Sequence, residues 1–218
     1  MRDTCLFDLD GTLLDTLSDL TIATNAALGA YGFPPRTEEE VKGFVGNGIR
    51  LLIERAAPGG ADNPRFAEIF AFFKRFYAAH CFDNTLPYPG VPEMLGELKA
   101  RGCLIGVVSN KADFAVKELV SRFFGGAADA AAGENEEAGI GKKPSPDLVY
   151  AVLERLGSSP SRAVYVGDSE VDIETAINAS VPCISVTWGF KSRNFLLSHG
   201  ASRLISRPDE LPAALARL

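Results

Sequence analysis

The chain of 218 residues lacks long apolar runs, basic clusters and closely spaced cysteines, and each absence argues against a class of protein. No apolar stretch approaches the roughly 20 residues that a bilayer-spanning helix needs, and Asp3 and Asp8 arrive before a secretory core could form. The formal net charge is −6, and no Lys/Arg cluster rises above that acidic background to neutralise a row of phosphates. Nucleic acid and membrane are therefore not expected as partners, and any phosphate the chain handles is expected to be small. Cys5, Cys81, Cys103 and Cys183 lie far apart without CxxC spacing, three of them in apolar strand-like runs, as expected of free thiols in a reducing cytoplasm. Internal repeats and low-complexity tracts are also missing. What remains is a chain with 46% hydrophobic residues, long enough for one full core and a smaller subdomain, and expected to fold unaided as a monomer or homodimer.

What is present is organised around Leu6 to Asp15, LFDLDGTLLD, where an apolar run leads into two carboxylates and a glycine that lets the chain turn. If Cys5 to Leu9 is a buried strand, Asp8 and Asp10 stand near its end with their charges close enough to repel strongly in a low dielectric. A shared proton would relieve that repulsion, and so would a divalent cation, for which carboxylate oxygens are suited. An isolated DxDG also serves simply as a turn, so its meaning depends on partners downstream.

Thr16 or Ser18 can cap a helix with an apolar stripe at Leu17, Leu20, Ala23, Ala27 and Tyr31, stopped by Gly32 and Pro34-Pro35. Thr37 to Glu40 reads as a capping box opening a short helix, and Gly46-Asn47-Gly48 breaks it before a further helix over residues 49–57. Asn63 caps a long helix with Pro64 in its first turn, in which Phe66, Ile69, Phe70, Phe73, Phe76 and Tyr77 form a face suited to the core of a small bundle. His80 reads as an ordinary polar residue. Asn84 to Gly90 reads as an ordered linker.

Helices then alternate with apolar strands at Cys103–Ser109, Ala127–Ala132 (weak), Ala163–Val166 and Cys183–Thr187. Strands that are apolar throughout and alternate with helices imply an α/β fold, a doubly wound parallel sheet covered on both faces. Ligands bind such sheets at the carboxyl ends of strands, where Asp8, Ser109 and Asp168 each end a different one. Residues 1–15 with 86–218 are read as the α/β core domain, and residues 16–85 as an inserted helical cap.

Four stretches in order resemble the motifs of the haloacid dehalogenase superfamily of phosphohydrolases. They are Phe7 to Thr12 (FDLDGT), Val107 to Asn110 (VVSN), Lys143 to Asp147 (KPSPD) and Val166 to Asp172 (VGDSEVD). The resemblance implies that Asp8 attacks phosphorus to form an aspartyl phosphate, while Asp10 protonates the leaving oxygen and then activates water. It implies Mg²⁺ held by Asp8, the Asp10 carbonyl and Asp168, with Asp172 orienting a metal-bound water. Ser109, with amides near Asn110, would donate to phosphoryl oxygens, and Lys143 would supply positive charge. Lys143 is preferred to Lys142 because the family's lysine directly precedes the proline. Taken singly, Ser109 and Asn110 could merely end a strand, Lys143 could be solvated, and Asp168 to Asp172 could mark a helix start. Lys111 could add to the phosphate field or be solvated. His199, Trp188 and Arg193 carry no signal of a role.

Asp10 separates the chain from dehalogenase and phosphonate-cleaving members and leaves a phosphatase or a phosphomutase. The helical insertion resembles the cap type that closes over small substrates. GNGIRLLIERA, PYPGVPEML and VSNK most closely resemble phosphoglycolate phosphatases, which implies 2-phosphoglycolate as substrate; a β-phosphoglucomutase-like mutase, a pyrophosphatase and a sugar-phosphate phosphatase are the alternatives. In the cap, Gly46, Asn47, Gly48 and Arg50 could reach the leaving group, the arginine pairing with a carboxylate, or could form a plain helix–helix turn. A phosphate-responsive regulatory module would show a lesion in one motif, and none is visible. A receiver domain would carry its phosphoacceptor on a later strand and have no cap.

Overall fold

The computed structural model describes residues 2–135 and 139–218. The chain divides into two compact units, Asp15–Leu86 and a discontinuous one made of Met1–Leu14 with Pro87–Leu218. No helix among the described residues is long and apolar enough to cross a membrane.

The discontinuous unit is built on six strands: β1 (Thr4–Phe7), β4 (Leu104–Ala112), β5 (Ala130–Glu134), β6 (Ala163–Gly167), β7 (Cys183–Val186) and β8 (Leu204–Ile205). Their order is β5-β4-β1-β6-β7-β8, with all five pairings parallel. Helices α5 (Val91–Ala100), α6 (Asp113–Phe124), α7 (Asp147–Arg155), α8 (Glu170–Asn178), α9 (Arg193–Ser198) and α10 (Leu211–Leu215) connect or follow these strands. The sheet is thus the doubly wound parallel type expected. Leu6, Phe7, Ile105, Val107, Val164 and Val166 are fully or almost fully buried, because a strand sandwiched between helices has no solvent face. The chain runs from β1 to β4 and β5 on one side and to β6, β7 and β8 on the other, so the loops leaving β1 and β6 lie where the winding reverses.

Two strand ends differ from the sequence reading. β1 stops at Phe7 rather than Leu9 because a tight turn follows at once: the amides of Leu13 and Leu14 turn back to the Leu9 carbonyl, and Gly11 adopts φ +86°. β4 continues past Ser109 to Ala112, with an irregular register opposite β5 between Val108 and Ala112, so Ser109 lies within the strand and not at its end. The weak strand falls at Ala130–Glu134, and β8, α9 and α10 are too short to have left a periodic pattern.

Within the Asp15–Leu86 unit, α1 (Leu17–Ala30), α2 (Glu38–Phe44), α3 (Ile49–Ala56) and α4 (Phe66–His80) follow one another. Thr37 and Glu40 form the reciprocal capping box expected of α2. Neither Thr16 nor Ser18 caps α1; the Asp15 carboxylate accepts from the Leu17 amide at 3.2 Å. Asn63 accepts from the Arg65 amide at 2.9 Å, one step before α4 begins, so it shapes the entry turn rather than capping the helix. Phe66, Ile69, Phe73 and Tyr77 are the buried part of the aromatic face. The stretch read as a linker is tied down: Asp19, buried on α1, accepts from the amides of Asn84 and Thr85, the Asn84 side chain and the Thr85 hydroxyl at 2.8–3.1 Å. β2 (Leu14–Asp15) and β3 (Leu86–Pro87) form a separate two-stranded sheet. None of the four cysteines is in a disulfide; Cys81, outside any strand, is buried as fully as Cys5, whereas Cys103 and Cys183 are half-buried.

Candidate active site

The loop after β1 begins at Asp8, whose amide is held by the Val166 carbonyl of β6 at 2.9 Å. Its Oδ1 accepts from the Leu9 amide at 2.7 Å and lies 2.8 Å from Lys143 Nζ. Lys143 Nζ also donates to Asp172 Oδ1 at 2.8 Å, so one buried ammonium bridges two buried carboxylates. Asp172 lies on α8, where it closes a capping box with Ser169: its Oδ2 accepts from the Ser169 hydroxyl at 2.6 Å and the Ser169 amide at 3.1 Å. The Tyr165 hydroxyl donates to its Oδ1 at 3.3 Å. Both oxygens of Asp172 are therefore engaged by the protein.

Asn110 fixes the lysine from behind. Its Oδ1 accepts from the Lys143 amide at 2.7 Å and its Nδ2 donates to the Lys143 carbonyl at 3.0 Å. The Asn110 side chain is thus spent on placing Lys143, and the phosphate contact expected of this stretch falls to its backbone amide. Ser109, buried, accepts from the Lys111 amide at 3.2 Å. Lys142 is half-exposed beside Glu134 at 3.5 Å.

Asp8, Asp168 and Asp172 each offer an oxygen within 4.8 Å of the others, and all three are buried. Burial, then the charge of Asp172, pushes the Asp8 carboxyl well above its ordinary range, with Lys143 pulling the other way and Asp168 adding to the rise. Burial and Asp172 likewise raise Asp168 to about 7 against hydrogen bonds that lower it. Burial pulls Lys143 down, but Asp172 and Asp8 outweigh it and hold the ammonium well above its usual range. Three acids around one ammonium carry more negative charge than the cluster's own cation offsets. Hard, closely set carboxylate oxygens of this kind fit a small divalent cation.

The spacing of the first motif makes Asp10 the charge that repels Asp8, and the structure overturns that expectation. The strongest charges on Asp8 are those of Asp172, Lys143 and Asp168, and the Asp10 carboxylate turns to Lys111, whose Nζ donates to its Oδ1 at 2.8 Å. β1 ends at Phe7, before Asp8, so strand alternation does not set the two side chains side by side. Lys111 is buried, so the solvated alternative falls as well.

Asp168 follows β6. Its Oδ1 accepts from the Thr12 hydroxyl at 3.2 Å and its Oδ2 from the Phe190 amide at 2.7 Å. The Trp188 indole N–H donates to the Thr12 carbonyl at 3.0 Å. Trp188, Gly189 and Phe190 are the residues that sequence reasoning misses; the available signal is a Trp-Gly pair just past the end of a strand, the position where ligands meet such sheets. A Cβ on Gly189 would collide with the Gly11 carbonyl oxygen and stand 2.5 Å from Asp168 Oδ2.

In the other unit, Gly46 and Gly48 take positive φ, and Asn47 Oδ1 accepts from Arg55 at 3.1 Å. Arg50 is largely exposed on α3, 3.9 Å from Glu54 and with its guanidinium 5.1 Å from the Phe66 ring centroid. His80 is exposed and paired with Asp83 at 2.7 Å.

The sequence pattern of the "Haloacid dehalogenase-like hydrolase" family matches residues 5–186. Among curated relatives, the N-acetylmuramic acid 6-phosphate phosphatase of Pseudomonas aeruginosa is 32% identical over 97% of this chain and 94% of its own length. The phosphoglycolate phosphatase of Aquifex aeolicus is 33% identical over 94% and 93%. The crystal structure of a protein from Lactobacillus delbrueckii subsp. bulgaricus taken to be a phosphoglycolate phosphatase superposes with a TM-score of 0.93 and 35% identity over 99% of both chains. On sequence and fold alike, the chain belongs to the haloacid dehalogenase-like hydrolases and is a phosphatase.

Proposed function

We propose that the protein is a Mg²⁺-dependent hydrolase of small phosphomonoesters acting through an aspartyl phosphate at Asp8, with 2-phosphoglycolate as its substrate. The observation that carries this reading is the buried ammonium of Lys143 set 2.8 Å from both Asp8 and Asp172. A carboxylate can approach a phosphoryl dianion only where positive charge is already in place. Asp8 Oδ2 is the attacking atom, because Oδ1 is held by the Leu9 amide and Lys143. Its bond to phosphorus forms as the bond to the leaving oxygen breaks, and Asp10 gives that oxygen its proton. Asp10 then takes a proton from water, whose oxygen attacks the same phosphorus and frees Asp8 and phosphate. Lys111 holds Asp10 by its Oδ1, which leaves Oδ2 as the atom that gives and takes the proton. Ser109 and the amide of Asn110 donate to phosphoryl oxygens.

Asp8, Asp168 and the Asp10 main-chain carbonyl would hold Mg²⁺, with Asp172 outside them because each of its oxygens already accepts two donors from the protein, whereas each Asp168 oxygen accepts one. When bound, the ion supplies charge neutralisation between nucleophile and phosphate.

Two named substrates of relatives, phosphoglycolate and N-acetylmuramic acid 6-phosphate, are phosphomonoesters that also carry a carboxylate. Arg50 beside the Gly46-Asn47-Gly48 turn is the group we assign to that carboxylate. The Pseudomonas aeruginosa relative favours N-acetylmuramic acid 6-phosphate as a second reading. The test is a phosphomonoester panel with Mg²⁺ or EDTA. Preference for 2-phosphoglycolate, loss of that preference in Arg50→Ala and dependence on Mg²⁺ are expected; full turnover in EDTA, or a preference for uncharged-tail sugar phosphates, overturns the reading. Phosphate recovered on an added sugar instead of in water would make the enzyme a mutase. We place its action in the cytoplasm, where scattered cysteines without CxxC spacing are at home.

A further inference from the structure

Three loops of the parallel sheet meet around Asp168, and they are joined in a closed circuit. The loop after β1 contributes Thr12, whose hydroxyl donates to Asp168 Oδ1 at 3.2 Å. The loop after β7 contributes the Phe190 amide, which donates to Asp168 Oδ2 at 2.7 Å. Two residues before Phe190, the Trp188 indole N–H donates to the Thr12 carbonyl at 3.0 Å and closes the ring. There is no slack in this circuit, since added atoms at Gly189 or Gly11 would stand 2.5 Å from Asp168 Oδ2. Each Asp168 oxygen thus receives one donor from the protein and keeps a lone pair for a further partner.

We infer that Trp188 is a positioning residue of this phosphatase: by holding the Thr12 peptide it sets the direction in which Asp168 presents its oxygens to a cation. The inference rests on the Mg²⁺ reading given above. An indole donor is suited to the task because its ring is rigid and carries a single N–H, here aimed at the Thr12 carbonyl from a half-buried side chain. Trp188 touches no reacting atom, so its removal acts on cation affinity first and on turnover only through it. It is also the only tryptophan in the chain, which makes its emission a direct report on the circuit.

The experiment compares the wild type with Trp188→Phe and with a variant carrying benzothienylalanine at 188, an isostere that deletes only the N–H. The readouts are the Mg²⁺ concentration giving half-maximal activity, KM at saturating Mg²⁺, and the thermal shift caused by Mg²⁺ without substrate. Loss of one well-placed hydrogen bond should raise half-saturation by Mg²⁺ roughly three- to tenfold in both variants, shrink the thermal shift and leave KM nearly unchanged. Wild-type indole emission should change on adding Mg²⁺ alone. Wild-type Mg²⁺ affinity in the isostere variant overturns the inference even where Trp188→Phe folds poorly, because the isostere preserves the packing. If the wild type itself needs no Mg²⁺, the metal reading fails and this inference falls with it.

Discussion

At the scale of single residues, Lys143 is the group on which the others depend. It is buried, and its two partners are acids that would otherwise be crowded together without compensation. Removing one member of a buried charge cluster costs about 3–5 kcal/mol because the remaining charges are left unpaired. Lys143→Met should therefore both abolish activity and lower the denaturation midpoint strongly, while Lys143→Met combined with Asp172→Asn should recover much of the stability and none of the activity. Asp8→Asn should do the reverse, removing turnover while leaving the metal-free protein as stable as before or more so, since it relieves repulsion from Asp172 and Asp168. Calorimetry of the three variants beside activity assays decides both cases. Asp10→Asn should split the reaction: a substrate with an acidic leaving group gives a burst of about one equivalent and then stalls, with a phosphoryl group on Asp8 visible by mass spectrometry. Steady turnover at the wild-type rate would remove Asp10 from its role. The acids and Lys143 could be read from the sequence because their spacing and order form a recognisable pattern. The work of Asn110 and Lys111 could not, since what each side chain bonds depends on which residue of a distant loop is folded against it.

At the scale of elements, the strands were legible because burial on both faces leaves an apolar run, and the capping box of α2 because its two side chains are local in sequence. Their ends were not. Where β1 stops is decided by hydrogen bonds to the Leu9 carbonyl, and β4 runs on to Ala112 because Glu134 pairs with it there, and neither is a property of the strand's own residues. The Trp188-Gly189-Phe190 turn was unreadable for the same reason: its partners are Thr12 and Asp168. Gly189→Ala tests how tightly these loops are fitted. The added carbon has no room beside the Gly11 carbonyl, so the variant should lose about 1–3 kcal/mol and bind Mg²⁺ poorly, whereas Gly96→Ala, in α5 with open space around it and no positive φ, should disturb neither activity nor metal binding. Normal Mg²⁺ response in Gly189→Ala would show that the loop can move aside.

At the scale of the whole molecule, the acidic cluster gives the metal-free fold a definite pH dependence. Asp168 titrates at about 7 when folded, against an ordinary carboxylate value of 3.8. The folded state therefore binds more protons than the unfolded state between those limits, and this contribution to stability falls as pH rises from about 4 to about 7 and levels off above. In EDTA the melting temperature of Asp168→Asn minus that of the wild type should accordingly grow between about pH 4 and about pH 7, and Mg²⁺ should raise the wild-type value more at the upper end of that range than at the lower. A flat difference would mean that Asp168 ionises as freely as in water. The parallel architecture itself could be inferred from alternation of helices and apolar strands, but it has a consequence in time. β1 lies between β4 and β6, its Thr4 opposite Leu104 on one side and Ala163 on the other. A ribosome adding about 5–20 residues per second makes Asp8 roughly ten to thirty seconds before Asp168. The helices of Asp15–Leu86 form one continuous stretch that is finished 18 residues, about one to four seconds, before β4 begins and longer before β6. During synthesis the nascent chain therefore carries Thr4 to Phe7 as an unpaired apolar strand after the helical unit has been made, and it is in that interval that a chaperone or a neighbouring chain competes for the strand that leads to Asp8.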